Sequence, residues 1–140
     1  MNKDRVLKVI EDMSEVIKNL NECTMVLKTT EHNNTTLFIE FGLKQIFVDF
    51  FITVENFTSL VLKDIKKFKI GIDMKEALSI LKDNNILDAD IYNMLNEARL
   101  LRNRISHKYK EPSTEELLEF IKENKRHFNI ILDIVMSFNN

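Results

Sequence analysis

From Val6 onward, apolar residues recur every three or four positions, at Val6, Ile10, Met13, Ile17, Leu20 and Leu27, with charged residues between them. This spacing predicts a helix with one buried face. The run Thr29-Thr30-Glu31-His32-Asn33-Asn34 has no such period and is built from residues that favour turns and caps, so it predicts a connection ending in an N-cap near Thr35 or Thr36. His32 is expected to be solvated there. A second helix is predicted over about 37–69, apolar around much of its circumference through Phe41, Ile46, Phe47, Phe50, Phe51, Val54, Phe57, Val61, Ile65 and Phe68. The helical spacing of these phenylalanines predicts core packing rather than a platform for stacked bases. Gly71 is expected to mark the end of that helix.

Asp73, with Glu76 three residues on, resembles a capping box and predicts a short helix carrying Ala77, Leu78 and Leu81, which ends in Asp83-Asn84-Asn85. Asp88-Ala89-Asp90 then opens a longer helix, where carboxylates complement the positive end of the macrodipole. A D-x-D pair also binds magnesium in nucleotidyltransferases, but there it lies on a strand after a Gly-Ser phosphate loop, and neither is predicted here, so no metal site is expected. This helix continues through Ile91, Leu95, Ala98, Leu101 and Ile105, and because Glu111 before Pro112, the only proline, must leave the helical region, it is expected to end at or just past Tyr109. Ser113 with Glu116 is a second capping box, and Leu117, Phe120, Ile121, Phe128, Ile131, Leu132 and Val135 predict a last helix. The expected fold is all-α: an antiparallel helical bundle of four long helices plus one short connecting helix, forming a single domain over residues 1–140.

Composition supports this and narrows the chemistry. Two glycines and one proline among 140 residues, with 44% apolar residues, favour long helices over many short strands. A net charge of −2 excludes a generally basic surface, yet residues 99–110 hold Arg99, Arg102, Arg104, Lys108 and Lys110 against no acid, so positive potential is concentrated there. Cys23 is the lone cysteine and is expected to be a small core residue in a reducing compartment. The N-terminus alternates charged and apolar residues, which predicts no signal peptide, and the most apolar stretch, 46–54, is cut by Asp49 and too short to span a bilayer. A cytoplasmic protein without a membrane partner is the expectation.

One stretch looks chemical: Arg102-Asn103-Arg104-Ile105-Ser106-His107-Lys108-Tyr109. It gathers a fixed cation, a carboxamide, an imidazole and a phenol, groups suited to a phosphodiester. On an ideal helix the polar arc holds Arg99, Arg102, Ser106 and Tyr109 on one side and Asn96, Asn103 and His107 on the other. Arg102 and His107 would then differ by ~140° in direction and ~7.5 Å along the axis, too far apart to close on one phosphate within a straight helix. Either the last turn unwinds before Pro112, or two chains pair their motif helices across a two-fold axis; the surplus apolar surface of the second helix favours the homodimer. Metal-independent RNA cleavage needs a base for the 2′-hydroxyl, an acid for the leaving 5′-oxygen and positive charge on the phosphorane. His107 suits the first or second role and Arg102 the third, while Asn103 could orient the imidazole or bind a phosphate oxygen. Arg99, Arg104 and Ser106 are candidates for supporting contacts to RNA phosphates. No cofactor is expected.

This stretch resembles the R-x4-H-x-Y signature of the HEPN superfamily, in particular the HepT-like toxins paired with minimal nucleotidyltransferase antitoxins. The likeness extends upstream to Lys75-Glu76-Ala77-Leu78-Ser79-Ile80-Leu81 and Asn85-Ile86-Leu87-Asp88, and covers about half of the chain. The resemblance implies a dimeric helical bundle with metal-independent endoribonuclease activity on RNA, Arg102 and His107 as the catalytic pair, and Tyr109 as the tyrosine to which the antitoxin transfers AMP. Ser106 before His107 is also similar to the R-N-x-x-S-H-x-Y segment of HEPN proteins that act as substrate-binding subunits of two-component nucleotidyltransferases. Under that alternative the same residues would hold a nucleotide while the partner does the chemistry.

Overall fold

The structure, a computed structural model, describes residues 1–139 and contains six helices and no strand among them. They are α1 (Lys3–Thr29), α2 (Asn34–Asp64), α3 (Met74–Asp83), α4 (Ala89–Ile105), α5 (Thr114–Glu123) and α6 (Lys125–Met136). The all-α class and the bundle follow the hydrophobic periodicity. α1 and α2, joined by a few residues, run antiparallel and pack along each other; α2 also meets α3 and α4, and α6 closes against α1 and α4.

Four boundaries differ from the sequence reading, among them the end of α4, which stops at Ile105 where Ser106 caps it rather than at or past Tyr109. α2 begins earlier, because Asn33 rather than Thr35 or Thr36 is its N-cap: the Asn33 carboxamide accepts from the Thr35 and Thr36 amides, and the Thr36 hydroxyl reaches back to the Asn33 amide at 2.7 Å. α2 ends at Asp64, well before Gly71, because Lys66 takes the left-handed conformation (φ 59°) and the amides of Lys67 and Phe68 both turn back to the Leu62 carbonyl. Gly71 (φ 82°) serves a separate turn between Lys69 and Ile72. The final helix is divided at Asn124, whose buried side chain donates to the Phe120 carbonyl at 2.9 Å and meets His127 Nδ1 at 2.8 Å. A side chain competing for a ladder carbonyl bends the helix there.

The core is centred on α2. Phe47, Phe50 and Phe51 are fully buried, surrounded by Met13 and Leu20 of α1, Leu78 and Leu81 of α3, Ile91 of α4 and Leu117 of α5. Edge-on ring contacts tie α2 to the C-terminal helices, Phe47 to Phe120 at 5.7 Å and Phe50 to Phe128 at 5.0 Å. Each such pair contributes about 0.5–1.5 kcal/mol beyond the area it buries. Cys23 packs half-buried against this core, and burial pushes its thiol pKa up. No helix among the described residues is long and apolar enough to cross a membrane.

Candidate active site

α4 presents the motif. Asp88 caps it, accepting from the Ile91 amide at 2.9 Å, so the first carboxylate of the D-x-D pair is engaged by the backbone. Ile91, Met94, Leu95 and Ala98 are buried, which turns Arg99, Arg102 and Asn103 away from the core. Arg99 reaches the Asn96 carboxamide through Nε at 3.4 Å. Arg102 Nη2 lies 3.6 Å from Glu55 Oε1 of α2, and both side chains are about two-thirds covered. That separation makes the contact an ion pair without a hydrogen bond, and Glu55 Oε1 is buried with no hydrogen-bond partner. The remaining donors of Arg102 meet no protein acceptor among the described residues.

After Ile105 the helix unwinds. Ser106 is the C-cap, the His107 amide donates to the Arg104 carbonyl at 3.0 Å, and the Lys110 amide donates to the His107 carbonyl at 2.9 Å. The backbone therefore turns tightly from Arg104 to Lys110, and His107 lies beyond the helix rather than on its surface. Ser106, His107, Lys108 and Tyr109 are all exposed, Tyr109 at 98%.

This loop is short but fastened at several points. Arg104 Nε donates to the Lys110 carbonyl at 2.9 Å, and its two terminal nitrogens form a fork with Glu116, at 2.8 and 3.1 Å. Glu116 in turn completes the Ser113 capping box that starts α5. The fork raises the Arg104 pKa and holds the Glu116 carboxyl below the usual carboxylate range, helped there by the Ser113 hydrogen bond. Farther along, Glu111 pairs with Lys44 of α2, and Pro112 is buried.

The predicted residues thus fall into three groups. Arg99, Arg102 and Asn103 share one recess of about 390 Å³, walled by Phe51 of α2 and by Asp73, Met74 and Lys75 at the start of α3. Ser106, His107 and Tyr109 stand on the loop past the helix end, outside that recess. Arg104 faces Glu116 and the loop backbone. Sequence reasoning missed Glu55, although a charge set between buried Val54 and Phe57 in an apolar run was a signal for it. Lys44 and Lys75 carried no such signal, since nothing local tells a facing lysine from a solvated one.

No curated protein matches this chain. A solved structure described as the crystal structure of the toxin-antitoxin with AMP-PNP superposes on 96% of this chain and 99% of that one, with a TM-score of 0.70 and 16% identity, a likeness of fold. The model of the family described as ribonuclease HepT-like matches residues 13–135, and with the motif of α4 inside that span the chain belongs to the HepT-like ribonuclease family.

Proposed function

We propose that this protein is a metal-independent endoribonuclease and the toxin of a toxin–antitoxin pair. The observation that carries the reading is the disposition of Arg102, held on one side by Glu55 with its other donors open, at the helix end from which His107 is released onto an exposed loop. In the reaction His107 removes the 2′-hydroxyl proton, the oxygen attacks the adjacent phosphorus, and the 5′-oxygen leaves as it gains a proton, giving a 2′,3′-cyclic phosphate and a 5′-hydroxyl. Arg102 stabilises the phosphorane as charge builds on its oxygens, and stays cationic throughout. Asn103 and Arg99 hold flanking phosphates, Ser106 shapes the turn into His107, and Arg104 holds the loop for them.

A homodimer supplies the second proton-transfer group. Phe38, Phe41 and Ile52 are exposed on α2, at 72%, 58% and 41%, with half-buried Val48 between them. At ~100° per residue these four fall within an arc of ~80°, and Glu55 lies ~20° past its edge. An apolar stripe of this kind is what a partner helix covers. A two-fold axis along it sets two Arg102–Glu55 pairs, and both His107 loops, around one cleft.

Tyr109 is the proposed site of regulation. Its phenolic oxygen attacks the α-phosphorus of a nucleoside triphosphate held by a minimal nucleotidyltransferase, forming a phosphodiester to AMP and releasing pyrophosphate. A phosphate and adenosine on Tyr109 then oppose RNA at the cleft mouth. Support comes from its near-complete exposure, and from the fold shared with a chain of a toxin–antitoxin crystallised with AMP-PNP.

Inducing the wild-type protein alone should arrest growth, while Arg102→Ala and His107→Ala at matched levels should not. Equal growth of all three strains counts against the toxin. Coexpression with a minimal nucleotidyltransferase should add AMP mass to the wild type and none to Tyr109→Phe; mass retained in the variant removes Tyr109 from the account.

A further inference from the structure

The recess beside the motif has chemistry that phosphate handling alone does not explain. It holds about 390 Å³, inside the range of ~300–1,000 Å³ typical of small-molecule sites. Three cations, Lys75, Arg99 and Arg102, line it together with half-buried Met74, which lies by fully buried Phe51, and one carboxylate, Asp73. A bare phosphate would satisfy the arginines and leave Met74 wet. A purely apolar ligand would strip water from the guanidinium groups without replacing their partners. A nucleotide has a charged end and a flat, weakly polar end, and so matches both.

Asp73 adds a polar handle. It is the N-cap of α3, with Oδ1 accepting from the Glu76 amide at 2.8 Å. Its second oxygen has no partner among the described residues. A carboxylate at the rim accepts hydrogen bonds from exocyclic amino groups of a base, as carboxylates do for cytosine N4.

We infer that this recess is a subsite for one nucleotide of the RNA chain, its phosphate on Arg99 beside Arg102, its base over Met74, and its amino edge toward Asp73. That the nucleotide belongs to a cleaved RNA rests on the ribonuclease reading; the binding itself does not. The subsite gives cleavage a base preference without a sequence-reading groove, because the scissile phosphate is held only when the neighbouring base fits.

The test uses full-length His107→Ala protein, which separates binding from turnover. CMP, AMP, GMP and UMP, ribose 5-phosphate and inorganic phosphate are titrated in turn, and amide NMR shifts are followed along α3 and α4. The nucleotides should bind about tenfold or more tighter than phosphate, a difference easily resolved. The largest amide shifts should fall at Met74, Lys75 and Asn103. Adding Asp73→Asn keeps an N-cap of equal quality. It should lower the CMP-to-UMP affinity ratio severalfold and leave ribose 5-phosphate unchanged. Ribose 5-phosphate or phosphate binding as well as the nucleotides, shifts centred elsewhere, or an unchanged base ranking in Asp73→Asn would each overturn the subsite. If nucleotides bind here and wild-type protein cleaves no RNA, the subsite stands and the ribonuclease reading fails; cleavage without nucleotide binding gives the reverse.

Discussion

Arg102 of α4 and Glu55 of α2 form an ion pair at 3.6 Å across the edge of the bundle. The carboxylate fixes where the guanidinium points but also opposes the approach of an RNA phosphate. Removing its charge should therefore separate two kinetic quantities. In Glu55→Gln, kcat should fall by roughly threefold to tenfold as Arg102 loses its orientation, while KM stays the same or falls because a repulsive charge is gone. Glu55→Asp should recover part of kcat. A rise in KM with kcat unchanged would mean that Glu55 acts on RNA binding and does not position Arg102.

The fork between Arg104 and Glu116 makes loop anchoring depend on pH. Glu116 titrates below its ordinary value of 4.5 in the folded protein, so the fork contributes its full stability above that value and loses it as the pH falls through the lowered pKa. Arg104→Ala should thus shift the urea midpoint at neutral pH, and the difference from wild type should shrink at pH values below 4.5. A difference constant across that range would show that the fork with Glu116 adds nothing beyond the alkyl packing of Arg104 and its hydrogen bond to the Lys110 carbonyl.

Pairing along α2 should depend on its exposed rings. Phe38→Ser with Phe41→Ser should convert a dimer to a monomer in sedimentation equilibrium, with helix content preserved, since neither ring is in the core. Loss of RNA cleavage should accompany dissociation, because each cleft then has one histidine. A wild-type protein that sediments as a monomer at tens of micromolar concentration, or a double variant that remains dimeric, would contradict this placement of the interface.

Lys66 holds a left-handed conformation at the end of α2, where glycine is the usual residue. Lys66→Gly should stabilise the protein by about 0.5–1 kcal/mol, the relief of the Cβ clash offset in part by the freer unfolded chain. A lower melting temperature would indicate that the Lys66 side chain makes a stabilising contribution of its own.

These results also show what could be read from sequence. Helix periodicity placed Phe47, Phe50 and Phe51 in the core and Arg102 and Asn103 outside it, because burial of one helix face is a local property of spacing. The Ser113–Glu116 box was legible from its spacing, whereas Pro112 only bounded α4, which stops at Ile105, inside the motif, rather than at or past Tyr109. The stop of α2 was not, since the left-handed turn falls on a lysine that carries no conformational signature. The division at Asn124 was also hidden, because it depends on a buried carboxamide meeting Phe120 and His127. Glu55, Lys75 and Met74 approach the motif only through packing of α2 and α3 on α4, and no short-range pattern encodes such pairs.

The central claim is that Arg102 and His107 cleave RNA without a metal. The most direct measurement is cleavage of a labelled single-stranded RNA by purified protein in excess EDTA, with end-group analysis of the products. The account predicts 2′,3′-cyclic phosphate and 5′-hydroxyl ends from the wild type, and a loss of about a hundredfold or more in Arg102→Ala and in His107→Ala. Absence of cleavage by folded, dimeric wild-type protein, or undiminished cleavage by either variant, would contradict it.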